Sequence, residues 1–138
     1  MRKTLICCIL MCGAMLASAQ YTLRVEVSNI KKLEGQVQVC LFRDGVGFLS
    51  KGKPVHCQWI VVDADKHGYA FDSLASGAYA VIAIHDLNEN KDLDTNFLGI
   101  PSEPYGFSNN PSTRFGPPDF EEAAFQLEGN RKITVKLK

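Results

Sequence analysis

Helical periodicity is almost absent from this chain of 138 residues, and so is any excess of charge, with fifteen Lys and Arg against fifteen Asp and Glu. The first absence argues against a helical bundle, whose amphipathic helices repeat apolar residues three and four positions apart. The second leaves no basic patch or stripe for gripping phosphate backbones, so nucleic acid is not an expected partner. The H-E-x-x-H and G-x-S-x-G motifs of metal and serine hydrolases are missing as well. Cysteine is sparse and uneven: Cys7, Cys8 and Cys12 lie near the start, and only Cys40 and Cys57 follow.

What is present at the start is a targeting pattern. Arg2 and Lys3 precede an apolar stretch from Leu5 to Leu16, and Ala17-Ser18-Ala19 follows. The stretch is shorter than the roughly 20 residues of a membrane-spanning helix, so it reads as a signal peptide over residues 1–19, cleaved after Ala19. Met11 before Cys12 disfavours a lipoprotein anchor. The expected mature chain, 20–138, keeps thirteen basic and fifteen acidic residues, a charge of −2. It is expected to be secreted or periplasmic, monomeric, and without a transmembrane segment.

Period-two alternation recurs through that mature chain. It predicts strands at Thr22–Ser28, Gln36–Phe42, Val55–Val62, Tyr69–Leu74, Ala78–His85, Ala123–Glu128 and Lys132–Leu137, the last two as a hairpin across Gly129-Asn130. The strand at Ala78–His85 is apolar on both faces and is expected to be central and covered on both sides. Trp59 is expected to anchor the core. Leu74, Gly77 and Tyr79 are spaced as in a tyrosine corner, which gives Tyr79 a structural role. The fold class is therefore all-β: one antiparallel β-sandwich of about seven strands, immunoglobulin-like or transthyretin-like (prealbumin-like), with one long loop.

Strand parity sets the expectation for the two remaining cysteines. Val37, Val39 and Leu41 form an apolar face that turns Cys40 away, whereas Cys57 shares its parity with Val55, Trp59 and Val61. Two separate thiols are expected; a bulge would reverse the parity and permit a bridge.

The long loop holds the chemistry-bearing residues. Asp86, Asn88, Asn90, Asp92 and Asp94 alternate at every second position, a density of oxygen donors that suits Ca²⁺. The EF-hand pattern itself fails, because Lys91 and Phe97 stand where it needs Gly and a bidentate Glu. The competing reading is turn chemistry, in which Asn and Asp bond their own backbone. Further on, five of the six prolines stiffen the loop, and aromatic rings supply apolar mass.

His85, Tyr105, Phe107, Asn109 and Asn110 form the candidate surface for a glycan, peptide or envelope protein; alternatively, the rings are a lid over the sheet. His85 beside Asp86 leaves a small hydrolase as a less favoured alternative, and no catalytic residues are assigned.

The run SLASGAYAVIAIHDLNENKDLDTNFLGIPSEPYGFSNN, together with GPP-x-F-x-x-A-x-F from Gly116 to Phe125, resembles a family of exported bacterial proteins, domain of unknown function 2141. The resemblance spans Leu23 to Leu137 and implies a secreted or periplasmic β-sandwich with no established activity. That family commonly carries Gly where this chain has Glu89 or Lys91. The leading expectation is an exported, non-catalytic binding or accessory module of the bacterial envelope with a Ca²⁺-stabilised loop at 85–110. Its rival is a purely structural envelope protein without an ion site.

Overall fold

Alternation of buried and exposed side chains organises the described residues into eight strands and one helical turn. They are β1 (Gln20–Ser28), β2 (Gln36–Arg43), β3 (His56–Val61), β4 (Gly68–Ala75), β5 (Gly77–Asp86), β6 (Tyr105–Phe107), α1 (Phe120–Ala123), β7 (Phe125–Leu127) and β8 (Arg131–Lys136). The computed structural model describes residues 19–45, 47–49, 54–63, 67–98 and 101–138. The expected signal peptide lies, apart from Ala19, outside the described residues. Among the described residues no helix is long and apolar enough to cross a membrane.

The strands form two sheets, one of three strands in the order β4-β1-β8 and one of five, β3-β2-β5-β6 with β7 also paired to β5. The fold is all-β and is not a barrel. One core fills the space between the sheets: Leu23, Val25 and Val27 of β1 and Phe71 of β4 meet Val39 and Leu41 of β2 and Tyr79 and Val81 of β5. Burying such side chains at about 1.5–3 kcal/mol each is the main term holding the sheets together.

The other face of β5 is covered too. Ala80, Phe107 and Ala123 are buried there beside Phe48, Ile82, Tyr105 and Phe120, so an aromatic layer lies on the outside of the five-stranded sheet. Two apolar faces on one strand thus correspond to cover on both sides.

At the β4–β5 junction Gly77 takes φ 154°, and the buried Tyr79 hydroxyl donates to the Ala75 carbonyl at 2.9 Å. That is tyrosine-corner geometry, with the hydroxyl returned to upstream backbone. Arg43 closes the corner from above, its guanidinium 5.5 Å from the Tyr79 ring centre and bonded to the Ser76 carbonyl.

Three expectations are corrected. The terminal pair is not a hairpin: β7 pairs with β5 in one sheet, and β8 runs parallel to β1 in the other. Gly129 and Asn130 carry the chain between the sheets, and the Asn130 side chain accepts from Thr22 N, which seats the crossing against β1.

Cys40 and Cys57 are bridged, as direct partners across β2 and β3 with Cα atoms 4.1 Å apart. The faces of β3 are the reverse of those expected from its apolar residues. Opposed residues of an antiparallel pair share a face, so Val37 opposite Ile60 puts Ile60 inward and turns Cys57, Trp59 and Val61 outward.

Trp59 therefore does not anchor the core; it is partly exposed on the outer face, opposite Gln38. β3 is an edge strand, and its apolar residues did not identify its buried side.

Candidate functional site

β5 delivers His85 and Asp86 to the start of the long loop, both buried, on opposite sides of the strand. The Asp86 carboxylate accepts from Asn90 N at 3.2 Å and Lys91 N at 2.8 Å. These two bonds curl the chain back on itself, and the curl requires left-handed backbone at Glu89 (φ 58°) and Lys91 (φ 64°). Those are the positions at which glycine would be unstrained.

The rest of the alternating series is tied in the same way. Asn88 Oδ1 accepts from Asn90 N, and Asn90 Oδ1 accepts from Asp92 N. The Asn88 and Asn90 amides donate to the two oxygens of Asp94, at 2.6 and 2.9 Å. Asp92 is exposed. Among the described residues no three His, Cys, Asp or Glu side chains converge as a metal site would require.

One residue was missed. Glu103 is buried, and its carboxylate accepts from Leu87 N at 3.0 Å and Asp94 N at 3.2 Å, which clips the far end of the loop onto its beginning. No spacing rule reaches it, because it lies outside the alternation. The only sequence signal is a glutamate held between Pro101 and Pro104.

The expected partner surface is largely used up inside the fold. His85 is buried with Nε2 2.8 Å from the Glu34 carbonyl, and Phe107 is buried under the aromatic layer. Asn109 and Asn110 are exposed, but their side chains are committed. Asn109 donates to the Glu122 and Ala124 carbonyls, while Asn110 donates to Thr134 O and accepts from Lys136 N.

Ser108, between them and β5, takes Val81 N and gives its proton to Ala123 O. The YGFSNN run is thus a clasp that fastens α1 and β8 to β5. Of the five residues, only Tyr105 keeps a partly exposed side chain free to meet a ligand.

Beyond Glu103 the loop walls a cavity of about 560 Å³ on the outer face of the five-stranded sheet. Its floor is Ile82 and Ile84 of β5 with their cross-strand partners Phe107 and Tyr105. Leu93 and Pro101 wall one side, Leu49 another, and Thr113 to Pro117 supply the rim. Leu93 sits between Asp92 and Asp94, so the oxygen-rich loop and the cavity share a wall.

A family model matches residues 25–135, which takes in β2 to β7 whole, the second half of β1 and all but the last residue of β8. The chain belongs to the DUF2141 family, uncharacterized proteins conserved in bacteria. No curated protein and no solved structure matches it. In this DUF2141 protein the loop is closed by the Asp86 carboxylate and the Glu103 clip, and the cavity lies beside it.

Proposed function

We propose that this DUF2141 protein is an exported, non-catalytic binding or accessory module of the bacterial envelope, an immunoglobulin-like or transthyretin-like β-sandwich whose 85–110 loop is stabilised by Ca²⁺. The observation that carries the ion reading is that one loop buries two carboxylates, Asp86 and Glu103, the second of which accepts from the backbone N–H of a third acid, Asp94. The three ion pairs among the described residues, Lys32–Glu34, Arg43–Asp44 and Lys132–Glu26, all lie elsewhere.

Buried carboxylates without a cationic side chain repel one another, and a divalent ion with oxygen ligands relieves that repulsion. Glu103, further along the same loop, would supply the carboxylate that Phe97 cannot supply at the twelfth position. Asp86, Asn88, Asn90 and Asp94 would contribute the remaining side-chain oxygens, with Asp92 at the loop's edge.

The non-catalytic part of the reading is supported by His85 and Asp86, the residues of the hydrolase alternative. His85 is held on a backbone carbonyl, Asp86 on two backbone N–H groups, and strand alternation points them apart. Export is supported by the charged, apolar and A-x-A pattern of residues 1–19.

Thermal unfolding after chelation, with and without millimolar Ca²⁺, tests the ion. Binding to the native state alone raises stability by mass action, about 2.7 kcal/mol at a hundredfold excess over Kd. A saturable rise, abolished in Asp86→Ala with Asp94→Ala, is expected. An unchanged melting temperature would leave the loop closed by hydrogen bonds and proline alone, as in a purely structural envelope protein.

A further inference from the structure

We infer that the cavity beneath the long loop is a binding site for a monomeric anionic amphiphile, an apolar acyl or ring body ending in a carboxylate or similar group. The inference rests on the binding-module reading above and deepens it by naming the ligand class. Its volume of about 560 Å³ lies within the range of small-molecule sites, roughly 300–1,000 Å³.

The floor and walls are the wrong chemistry for a sugar. Ile82, Ile84, Phe107, Leu49, Leu93 and Pro101 offer apolar surface, and among the described residues no acidic side chain lines the space. An apolar body gains about 25 cal/mol for each Å² it removes from water there. Leu49 and Leu93 are 43% and 38% exposed, apolar surface that a ligand would cover.

Polarity is concentrated at one end. Arg114 and Thr113 stand on the rim, and among the described residues the Arg114 guanidinium has no acid or carbonyl to bind. Lys138 adds a second positive charge there, its Nζ bonded to the Pro111 carbonyl and 3.5 Å from Thr113 Oγ1. Tyr105 adds a hydroxyl to the lining. An apolar pocket with the Arg114 cation in its lining, and Lys138 bonded beside it at Pro111 and Thr113, selects a ligand with one apolar body and one anionic head.

The test is titration of the full chain with dodecanoate below its micelle concentration, and with dodecanol as the neutral control, read by calorimetry and by displacement of anilinonaphthalene sulfonate. One dodecanoate per chain with micromolar affinity is expected. Arg114→Ala should weaken dodecanoate about fivefold, as a partly exposed ion pair would, and leave dodecanol unchanged. Leu93→Glu, at an exposed wall position, should abolish both while the melting temperature of the free protein holds.

No saturable binding by 1 mM, equal affinity for dodecanol, or full binding in Leu93→Glu would each overturn the inference. So would co-sedimentation with phosphatidylglycerol vesicles without dodecanoate binding, which would make the cations a membrane contact. A Ca²⁺-dependent melting rise without amphiphile binding would sink this inference alone; binding without a Ca²⁺ response would sink the ion and spare the cavity.

Discussion

Asn110 does the work of a strand residue without belonging to a strand. Its amide donates to Thr134 O and its carbonyl oxygen accepts from Lys136 N, so one side chain pairs with β8 as a backbone would. It takes φ 50°, a conformation Asn tolerates better than most residues. Asn110→Ala removes both bonds and keeps the strained backbone. A loss of about 1–2 kcal/mol is expected from urea unfolding, the net worth of two hydrogen bonds at an exposed site. Unchanged stability would mean that β8 is held by its core residues, Val135 and Leu137, and not by the clasp. The same residue shows a limit of sequence reading. An Asn-Asn pair after aromatics reads equally well as a recognition surface, and only the distance to β8, a segment 24 residues away in sequence, decides that Asn110 is committed to a strand of the fold.

At the scale of elements, the disulfide fastens an edge strand. β3 pairs only with β2, and Cys40–Cys57 joins the two at directly opposed positions across 17 residues of chain. Closing a loop of that length constrains the unfolded state by about 3 kcal/mol. Reduction, or Cys40→Ala with Cys57→Ala, should lower the unfolding free energy by about that amount, measured in guanidinium with and without reductant. An identical midpoint in both conditions would show that β3 adds nothing to the cooperative unit.

The bridge also marks where alternation stops being informative. Strands β1, β2, β4 and β5 were legible within one or two residues because one face of each meets the shared core. β3 was placed correctly along the chain but with its faces reversed, because an edge strand can carry apolar residues outward. β6 and α1 were illegible for a different reason: three and four residues are too few to show a period, and both are held by non-local partners, β5 and Ser108. The oxygen series of the loop was plain in the sequence, whereas Glu103 and the cavity exist only once the loop has folded over Ile82 and Ile84.

For the whole molecule, the shared wall would couple the two proposed sites energetically if both are occupied. Leu93 belongs to the cavity, while its neighbour Asp94 is tied to Glu103, Asn88 and Asn90 and, through its carbonyl, to Ser102 N. Pro101, on the same wall, is bridged to Thr95. An ion bound by the loop would fix this segment before the amphiphile arrives, so that the ligand would lose less conformational freedom on ordering it. Coupling energies between sites are typically 1–3 kcal/mol, and they are reciprocal.

The expected result is that dodecanoate binds about fivefold to thirtyfold more tightly in millimolar Ca²⁺ than in chelator, equivalent to about 1–2 kcal/mol. Ca²⁺ affinity should rise by the same factor when dodecanoate saturates. Glu103→Gln removes one charge and leaves a side chain that can accept from only one of the Leu87 and Asp94 N–H groups, so it should reduce the coupling and lower the stability of the clip. Equal dodecanoate affinities in Ca²⁺ and chelator, with both ligands binding, would show a wall already rigid through its own hydrogen bonds, and would separate the loop's ion chemistry from the cavity it borders.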